Sequence, residues 1–287
     1  MYISNRWKDF EVLDAGDGEK IERWKDVILV RPDPQVIWHT DKSKWKKINA
    51  IYHRSSKGGG EWEIYNLPKR WSISYPLLNN ESIEFNIKPF SFKHTGLFPE
   101  QAVNWDFLTG IVKNNDNVLN LFAYTGGASV ALLKMGANVV HVDSSKGMIE
   151  WAKENAISSN VNNKNIKYYI DDCFKFVERE IRRGHKYEGI IMDPPSYGRG
   201  PNGEIWKLES ALYKLIDKSS LLLYNKSKFF IINSYTTGLQ SAVLSYILND
   251  IIVKKFGGKV ESDEIGLPVT KSKLMLPCGC CGRWIKT

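Results

Sequence analysis

Between residues 117 and 193 the hydrophobic pattern repeats a short apolar run that stops at a glycine or an acidic residue. The segments between the runs have helical character. Apolar runs without polar alternation are typical of strands that are covered on both faces. The pattern therefore predicts an α/β fold with a mostly parallel sheet and helices on both faces, in which the strands cover residues 117–121, 139–143, 166–170 and 189–192.

The first apolar run continues into a glycine turn and an apolar helix. Gly126 and Gly127 end the run and permit a positive φ or the close approach of a ligand. Residues 128–133 are good helix formers. Such a turn is either an ordinary feature of an α/β domain or a place where a nucleotide-like ligand meets the carboxyl edge of the sheet.

Acidic residues at the ends of the next three runs favour the ligand-binding interpretation. Asp143 ends the second run, where a carboxylate can accept hydrogen bonds from both ribose hydroxyls of an adenosine ligand. Asp171 and Asp172 follow the third run. Asp193 follows the fourth run and opens the segment Asp-Pro-Pro-Ser-Tyr. Surface acids placed at random would not all fall at strand ends.

Residues 1–88 have a different hydrophobic pattern. This pattern predicts a small β-rich domain that precedes a larger domain at 89–287. Short alternating segments are separated by turn signals, and residues 81–92 alternate as a strand that leads into the larger domain. The tryptophans of this part either fill its core or stack on unpaired bases beside basic residues, and the core is favoured for most of them. They are Trp7, Trp24, Trp38, Trp45, Trp62 and Trp71.

Composition adds a basic surplus to this picture. The 287 residues carry a net charge of +8, with 43% hydrophobic and 25% charged residues, as in globular proteins. The surplus suits a polyanionic partner such as RNA, although a solvated lysine-rich surface gives the same count. No apolar run approaches the roughly 20 residues of a membrane span. Residues 1–8 lack a signal-peptide core, so a cytoplasmic location without membrane contact is expected.

The four cysteines do not form a metal-binding pattern. Cys278, Cys280 and Cys281 are too closely spaced for an ordinary tetrahedral zinc site, and no histidine follows them. A disulfide framework is not expected in a cytosolic chain of this length. A structural or incidental role is predicted for these thiols, a metal or redox role is the less favoured alternative, and no metal is expected.

Three segments together resemble the class I S-adenosylmethionine-dependent methyltransferases, in the branch that contains bacterial 23S ribosomal RNA base methyltransferases. They are residues 94–101, His-Thr-Gly-Leu-Phe-Pro-Glu-Gln, residues 119–127, Leu-Asn-Leu-Phe-Ala-Tyr-Thr-Gly-Gly, and the Asp-Pro-Pro-Ser-Tyr segment. The resemblance implies a Rossmann-like, mostly parallel sheet of seven strands. It also implies S-adenosylmethionine as methyl donor and S-adenosylhomocysteine as product.

One departure concerns the first motif of the class, which usually has three spaced glycines. Phe122 and Tyr124 stand where two of those glycines would be, as is normal in this branch, so a dinucleotide ligand is not expected. By the resemblance, Gln101 lies near the methionine end of the cofactor and Cys173 near its adenine. The full set of expected cofactor-binding residues is Thr95, Gln101, Phe122, Tyr124, Thr125, Gly126, Asp143, Ser144, Asp171, Asp172, Cys173 and Asp193.

The Asp-Pro-Pro-Ser-Tyr segment is the expected chemical centre. The prolines fix φ and lack N–H donors, so their carbonyls are expected to be free to accept from a nucleobase amine. Tyr197 can stack on a base, and Asp193 or Tyr197 can orient the acceptor. The glycine-rich residues that follow are expected to form a flexible loop in which Arg199 can bind phosphate. The catalytic residues are predicted to be Asp193, Pro194, Pro195 and Tyr197.

The absence of a cysteine at one position narrows the choice of acceptor atom. Methylation at carbon 5 of a pyrimidine needs a nucleophile, usually cysteine, that adds at carbon 6. In the cytosine-modifying members of this branch that cysteine follows the fifth strand, whereas residues 229–232 are followed here by Asn-Ser-Tyr-Thr-Thr. A nitrogen of an RNA base is therefore favoured as the acceptor, and ribosomal RNA is the favoured RNA. The alternatives are a small-molecule or protein acceptor, and a non-catalytic RNA-binding protein that retains the fold.

Overall fold

The computed structural model describes residues 1–55, 59–89, 93–199 and 205–287. The amino-terminal part consists mainly of strands, with a short 3₁₀ helix at Lys42–Lys44. Its strands are β1 (Tyr2–Ile3), β2 (Phe10–Gly16), β3 (Glu19–Trp24), β4 (Val27–Pro32), β5 (Ala50–Arg54), β6 (Gly60–Ile64), β7 (Trp71–Pro76) and β8 (Ser82–Ile87).

Strands and helices alternate after a second 3₁₀ helix at Pro99–Gln101, which confirms the α/β prediction. The first half contains α1 (Ala102–Thr109), β9 (Asn117–Leu121), α2 (Gly127–Lys134), β10 (Asn138–Asp143), α3 (Lys146–Ser158), β11 (Ile166–Ile170), α4 (Cys173–Arg183) and β12 (Gly189–Met192). The second half contains the hairpin β13 (Tyr197–Arg199) and β14 (Ile205–Lys207), then α5 (Leu208–Ser220), β15 (Phe229–Ser234), α6 (Ser241–Leu248), a π-helix (Asn249–Val253), α7 (Lys254–Phe256), β16 (Lys259–Pro268) and β17 (Met275–Ile285).

The main sheet has eight strands in the described residues, in the order β1-β16-β17-β15-β12-β9-β10-β11. Strand β17 is antiparallel to both of its neighbours, and the other neighbouring pairs are parallel. Seven of these strands form the predicted sheet, and β1 extends it by pairing with β16 through Tyr2 and Ile3. The prediction missed β1 because two residues are too few to show a hydrophobic period.

The order of the strands places a crevice at the middle of the sheet. Strand β9 lies between β10 and β12, and the chain continues outward from β9 on one side and from β12 on the other. Connections that leave the sheet in opposite directions open a crevice at the carboxyl ends of these two strands. The Gly126 turn follows β9 and Asp193 follows β12, so both lie at this crevice.

The amino-terminal strands separate into two groups. Strands β2 to β6 form a five-stranded sheet, antiparallel except between β4 and β5. The β7–β8 hairpin instead docks on α3, where Asn155 Oδ1 accepts from the Asn86 N–H at 2.8 Å. The β-rich part is therefore present, whereas the boundary at residue 88 stays a prediction, because β1 and the hairpin pack with the larger part.

The tryptophans of the amino-terminal part are mostly core residues. Trp24 is fully buried, and Trp7, Trp62 and Trp71 pack half-buried against the same hydrophobic cluster. Trp38 is more exposed, at 40%. The core interpretation is confirmed for the four packed side chains.

Two predictions extend beyond the described residues. The strand predicted to residue 92 is described from Ser82 to Ile87, and residues 90–92 lie outside the description. Of the predicted flexible loop, only the flanking strands β13 and β14 are described. Residues 200–204 and the Arg199 side chain lie outside the described part of the chain. Among the helices that are described, none combines the length and the apolar character needed to cross a bilayer.

Candidate active site

A cavity of about 860 Å³ opens at the carboxyl edge of the main sheet, facing the five-stranded sheet. Its volume falls in the range of about 300–1,000 Å³ that is usual for small-molecule sites. Its lining includes Tyr124, Asp143 and Asp193 at the edge of the main sheet and Arg31 and Tyr52 of the five-stranded sheet, together with Lys93 from the segment after β8. Both parts of the chain thus contribute to one site.

The turn after β9 has a left-handed backbone at three positions. Phe122, Tyr124 and Gly126 have φ values of 53°, 52° and 83°. A positive φ costs a bulky residue about 1–3 kcal/mol, which explains why the wider class has glycine at two of these positions. In this chain the Phe122 and Tyr124 side chains line the cavity. The Phe122 ring packs on Trp206 with the ring centroids 5.8 Å apart, and the Tyr124 ring packs on Phe98 with the centroids 5.5 Å apart.

Asp143, at the end of β10, anchors this turn. Its Oδ2 accepts from the Tyr124 N–H at 2.8 Å, and its Oδ1 accepts from the Ser145 N–H at 2.9 Å. Burial raises the pKa of the Asp143 carboxyl, and the two N–H groups oppose this rise. Each carboxylate oxygen has a further lone pair. Because Asp143 and Ser144 both line the cavity, Asp143 can also accept ribose hydroxyls.

Asp193 forms the acidic wall of the cavity together with Glu100. Burial and the nearby Glu100 carboxylate raise the pKa of Asp193 to about 7. Burial also raises the pKa of Glu100, which accepts a hydrogen bond from the Tyr235 hydroxyl. Gln101 Nε2 donates to the same hydroxyl at 2.7 Å. This wall can therefore take up or release a proton near neutral pH.

A buried amide network holds this wall from behind. Asn104 is fully buried and donates to Gln101 Oε1 and to Asn233 Oδ1, both at 2.9 Å. Its own Oδ1 accepts from Arg283 at 2.7 and 3.0 Å. A buried network in which the donors and acceptors are paired restricts its members to one arrangement. Gln101, which also contacts Tyr235, is therefore held in place.

One of the two proline carbonyls expected to be free already accepts one hydrogen bond. The Trp206 indole Nε1 donates to the Pro195 carbonyl at 2.6 Å. The Pro195 carbonyl is therefore not entirely free, because Trp206 returns to it through the β13–β14 hairpin, which the local sequence did not reveal. Its second lone pair can still accept a hydrogen bond, so its role stays a prediction. Pro194 lines the cavity beside Asp193. Tyr197 lies on β13, is 50% exposed and is outside the cavity lining, so its catalytic role stays a prediction.

Gln101 and Thr125 line a smaller pocket of about 60 Å³, which shares Phe122, Tyr124 and Asp193 with the main cavity. Gln101 and Thr125 therefore lie near three other residues that are predicted to bind the cofactor.

The other predicted cofactor residues have structural contacts. Thr95 is fully buried before α1 and Gly126 precedes α2. At the end of β11, the Asp171 carboxylate pairs with Arg179 and the Asp172 carboxylate caps α4. Cys173 Sγ accepts from the Phe122 N–H at 3.2 Å. The cofactor contacts of these five residues stay predictions.

Sequence reasoning missed Glu100, Tyr235 and Cys278 in the cavity lining. Tyr235 follows β15 at the carboxyl edge, so the strand-end rule that selected Asp143 and Asp193 would also have found it. Cys278 comes from the antiparallel strand β17, which carries no such signal. In the part of the chain that is described, no group of His, Cys, Asp or Glu side chains could hold a metal ion.

The sequence profile of the S-adenosylmethionine-dependent methyltransferases matches residues 47–225, more than half of the chain. The chain belongs to this family. The matched region runs from just before β5 to just after α5, so it includes residues on both sides of the cavity. The expected family and class I fold are thereby confirmed.

Individual relatives give the same assignment. The S-adenosylmethionine-dependent methyltransferase of Agrobacterium tumefaciens has a crystal structure that matches with a TM-score of 0.89 and 32% identity, over 99% of this chain and 93% of that one. Ribosomal RNA large subunit methyltransferase K/L of Shewanella frigidimarina is 32% identical over 218 residues, and ribosomal RNA large subunit methyltransferase I of Photobacterium profundum is 26% identical over 253 residues. These alignments cover 72% and 86% of this chain but 29% and 60% of the two relatives, so the chain spans less than two thirds of either.

The groups that line the cavity fit the cofactor of this family. Asp143 provides acceptors for ribose hydroxyls, and the rings of Phe122 and Tyr124 provide apolar surface beside it. We therefore assign Phe122, Tyr124, Asp143 and Ser144 as the residues that would hold S-adenosylmethionine. When bound, this cofactor supplies an electrophilic methyl group on a sulfonium.

Proposed function

We propose that this protein transfers a methyl group from S-adenosylmethionine to a nitrogen of an RNA base, with ribosomal RNA as the first candidate. The observation that carries the proposal is one cavity lined by Asp143, by Asp193 and by cations of the five-stranded sheet. A donor and a nucleic-acid acceptor can meet there. Two relatives named as ribosomal RNA large subunit methyltransferases and the net charge of +8 support RNA as the acceptor.

Asp193 is the residue that we assign to the reacting nitrogen. A nitrogen that carries a proton must lose it when it is methylated, and a carboxyl whose pKa is about 7 is suited to accept that proton at neutral pH. Transfer to a nitrogen otherwise depends mainly on positioning. The strand end that carries Asp193 and Pro194 supplies a rigid support for the acceptor.

Carbon 5 is the competing acceptor atom, because Cys278 lines the cavity although no cysteine directly follows β15. Its thiol is buried and donates to the Leu276 carbonyl at 3.5 Å. Burial and the nearby Glu100 raise the pKa of Cys278 well above its usual value. Because the thiolate is the nucleophilic form, these surroundings disfavour covalent addition by Cys278 and favour nitrogen.

The acceptor class is tested with a tritiated methyl donor. The protein is incubated with total RNA, with naked 23S ribosomal RNA, with assembled ribosomal subunits and with deproteinised extract. Label in RNA supports the proposal, and digestion to nucleosides names the atom. Label only in protein or in small molecules refutes an RNA acceptor. Donor binding without any transfer supports the non-catalytic alternative.

Cys278→Ala separates the two acceptor atoms. If nitrogen is methylated, the transfer rate stays within about twofold of wild type, whereas loss of a carbon 5 nucleophile abolishes transfer. Cys280→Ala is the matched control, since Cys280 is also a buried cysteine of β17 but lies outside the main cavity. If Cys278→Ala loses transfer and Cys280→Ala does not, the acceptor atom is carbon 5 and not nitrogen.

A further inference from the structure

The side of the cavity formed by the five-stranded sheet contains a buried ionic cluster. Lys20 and Arg31 face each other across β3 and β4, an arrangement that is unfavourable for like charges. Two carboxylates compensate for it. Glu22 accepts from Arg31 at 2.6 and 2.9 Å and lies 3.3 Å from the Lys20 Nζ, and Asp33 lies 3.3 Å from the same ammonium. These two cations are therefore neutralised within the sheet.

Arg54 and Lys93 add two further cations to the same lining. For neither does the described part of the chain provide a carboxylate within the 4.0 Å of a salt bridge. An ammonium has three donors, and Lys93 uses one on the Pro32 carbonyl at 3.1 Å. Burial and the neighbouring Lys20 lower the pKa of Lys93, as expected where positive charge is crowded. Glu100 lines the same cavity and interacts with Lys20 and Arg31, so it is a third carboxylate. Four cations against three carboxylates leave this part of the lining with one surplus positive charge.

Tyr52 adds a hydroxyl donor to the same part of the lining. Its side chain is 3% exposed, and its hydroxyl has no hydrogen-bond partner within the described residues. The ring is fixed in place, because it packs edge-on against Trp62 at 5.4 Å and a Cβ at Gly60 would approach it to 2.8 Å. A buried hydroxyl without a partner is costly. Because Tyr52 lines the cavity, a ligand can supply the partner that the protein lacks.

We propose that Arg54, Lys93 and Tyr52 form an anion-binding subsite that holds a phosphate of the acceptor nucleotide while its base lies against Asp193. This inference rests on the proposed function. It makes the five-stranded sheet a part of the acceptor site, because Arg54 and Tyr52 of β5 hold the phosphate together with Lys93, which follows β8, and the end of β12 holds the base. The carboxylate of S-adenosylmethionine is the competing anion, and the experiment separates the two.

The test uses Lys93→Gln and Tyr52→Phe, with Lys69→Gln as a matched control at an exposed lysine outside the cavity lining. Three ligands are titrated separately: inorganic pyrophosphate, a single-stranded RNA oligonucleotide of mixed sequence, and S-adenosylhomocysteine. We expect pyrophosphate affinity to fall about tenfold or more in Lys93→Gln and about fivefold in Tyr52→Phe. The slope of log affinity against log salt for RNA falls by about 0.7 in Lys93→Gln. The affinity for S-adenosylhomocysteine stays within about twofold.

Melting temperatures exclude an effect on folding alone. Since the Tyr52 hydroxyl has no partner, Tyr52→Phe should melt at or above the wild-type temperature while it binds pyrophosphate more weakly. Wild-type protein that does not bind pyrophosphate, or unchanged affinity in both variants, overturns the subsite. If the variants bind S-adenosylhomocysteine more weakly and pyrophosphate equally well, these residues bind the methyl donor. That result also overturns the subsite.

The outcomes distinguish the subsite from the proposed function. RNA binding that Lys93→Gln leaves unchanged refutes the subsite and keeps RNA as acceptor. Pyrophosphate binding that depends on Lys93, in a protein that neither binds nor methylates RNA, keeps the subsite and refutes the RNA acceptor.

Discussion

At the scale of single residues, Asp143 combines a structural role with a proposed binding role. Its two oxygens hold the Tyr124 and Ser145 N–H groups, and the same carboxylate lines the cavity. The turn and the proposed ribose site therefore depend on one side chain.

Asp143→Asn should weaken the binding of S-adenosylhomocysteine by about tenfold or more, because one carboxylate acceptor becomes an amide donor that faces an N–H group or a hydroxyl. Calorimetry measures the affinity. Glu150→Gln, at an exposed acid of α3 outside the cavity, is the control. Unchanged affinity in Asp143→Asn would remove Asp143 from the cofactor site.

Asp193 should couple stability to pH. Its pKa rises from 3.8 to about 7 on folding, so the folded protein binds more protons between these values and loses stability as pH rises through them. Asp193→Asn removes this dependence. Relative to wild type, the free energy of unfolding of the variant should therefore rise by about 3 kcal/mol more at pH 8 than at pH 5. Urea unfolding at both pH values measures the difference, and an equal effect at both would contradict the raised pKa.

At the scale of elements, α3 joins the β7–β8 hairpin to the glycine turn. The fully buried Asn155 accepts from the Asn86 N–H and donates to the Thr125 carbonyl, both at 2.8 Å. One side chain thus links a hairpin of the amino-terminal part to the turn that we propose holds the cofactor.

Asn155→Ala should lower the free energy of unfolding by about 2–4 kcal/mol, because it leaves buried polar groups without partners. It should also weaken the binding of S-adenosylhomocysteine, since the Thr125 carbonyl loses its donor. Urea unfolding and calorimetry measure the two effects. Asn162→Ala, at an exposed position after α3, should change neither. A stable variant with normal affinity would show that α3 does not support the turn.

At the scale of the whole molecule, the two sheets that enclose the cavity share a core. One hydrophobic cluster includes Phe10 and Trp24 of the five-stranded sheet and Val118 and Ile231 of the main sheet. We therefore expect both parts to unfold together.

Phe10→Leu should lower the urea midpoint of both sheets equally, because the lost packing belongs to their common core. A loss of about 1 kcal/mol is expected. Hydrogen exchange followed separately in β3 and in β9 measures the two responses, with Lys69→Gln as the surface control. Two separate transitions would instead indicate independent domains, as a boundary near residue 88 implies.

Local patterns were enough to predict the centre of the main sheet. Short apolar runs predict β9 to β12, and turn and acidic residues mark their carboxyl ends, so the sequence places Asp143 and Asp193 at the edge where the structure has the cavity. The same reasoning gave no measure of backbone strain. It placed Phe122 and Tyr124 at glycine positions, and only the structure gives their positive φ values.

The sequence by itself determined the family, the parallel core and the acids at its edge, because each depends on residues that are neighbours in the chain. The tertiary structure alone decided the pairing of β1 with β16, the Trp206 bond to the Pro195 carbonyl and the place of Cys278 in the cavity. It also decided that cations of the five-stranded sheet line the same cavity as Asp193. These contacts join residues that are far apart in sequence, and their energy comes from packing and charge pairing that no local pattern encodes.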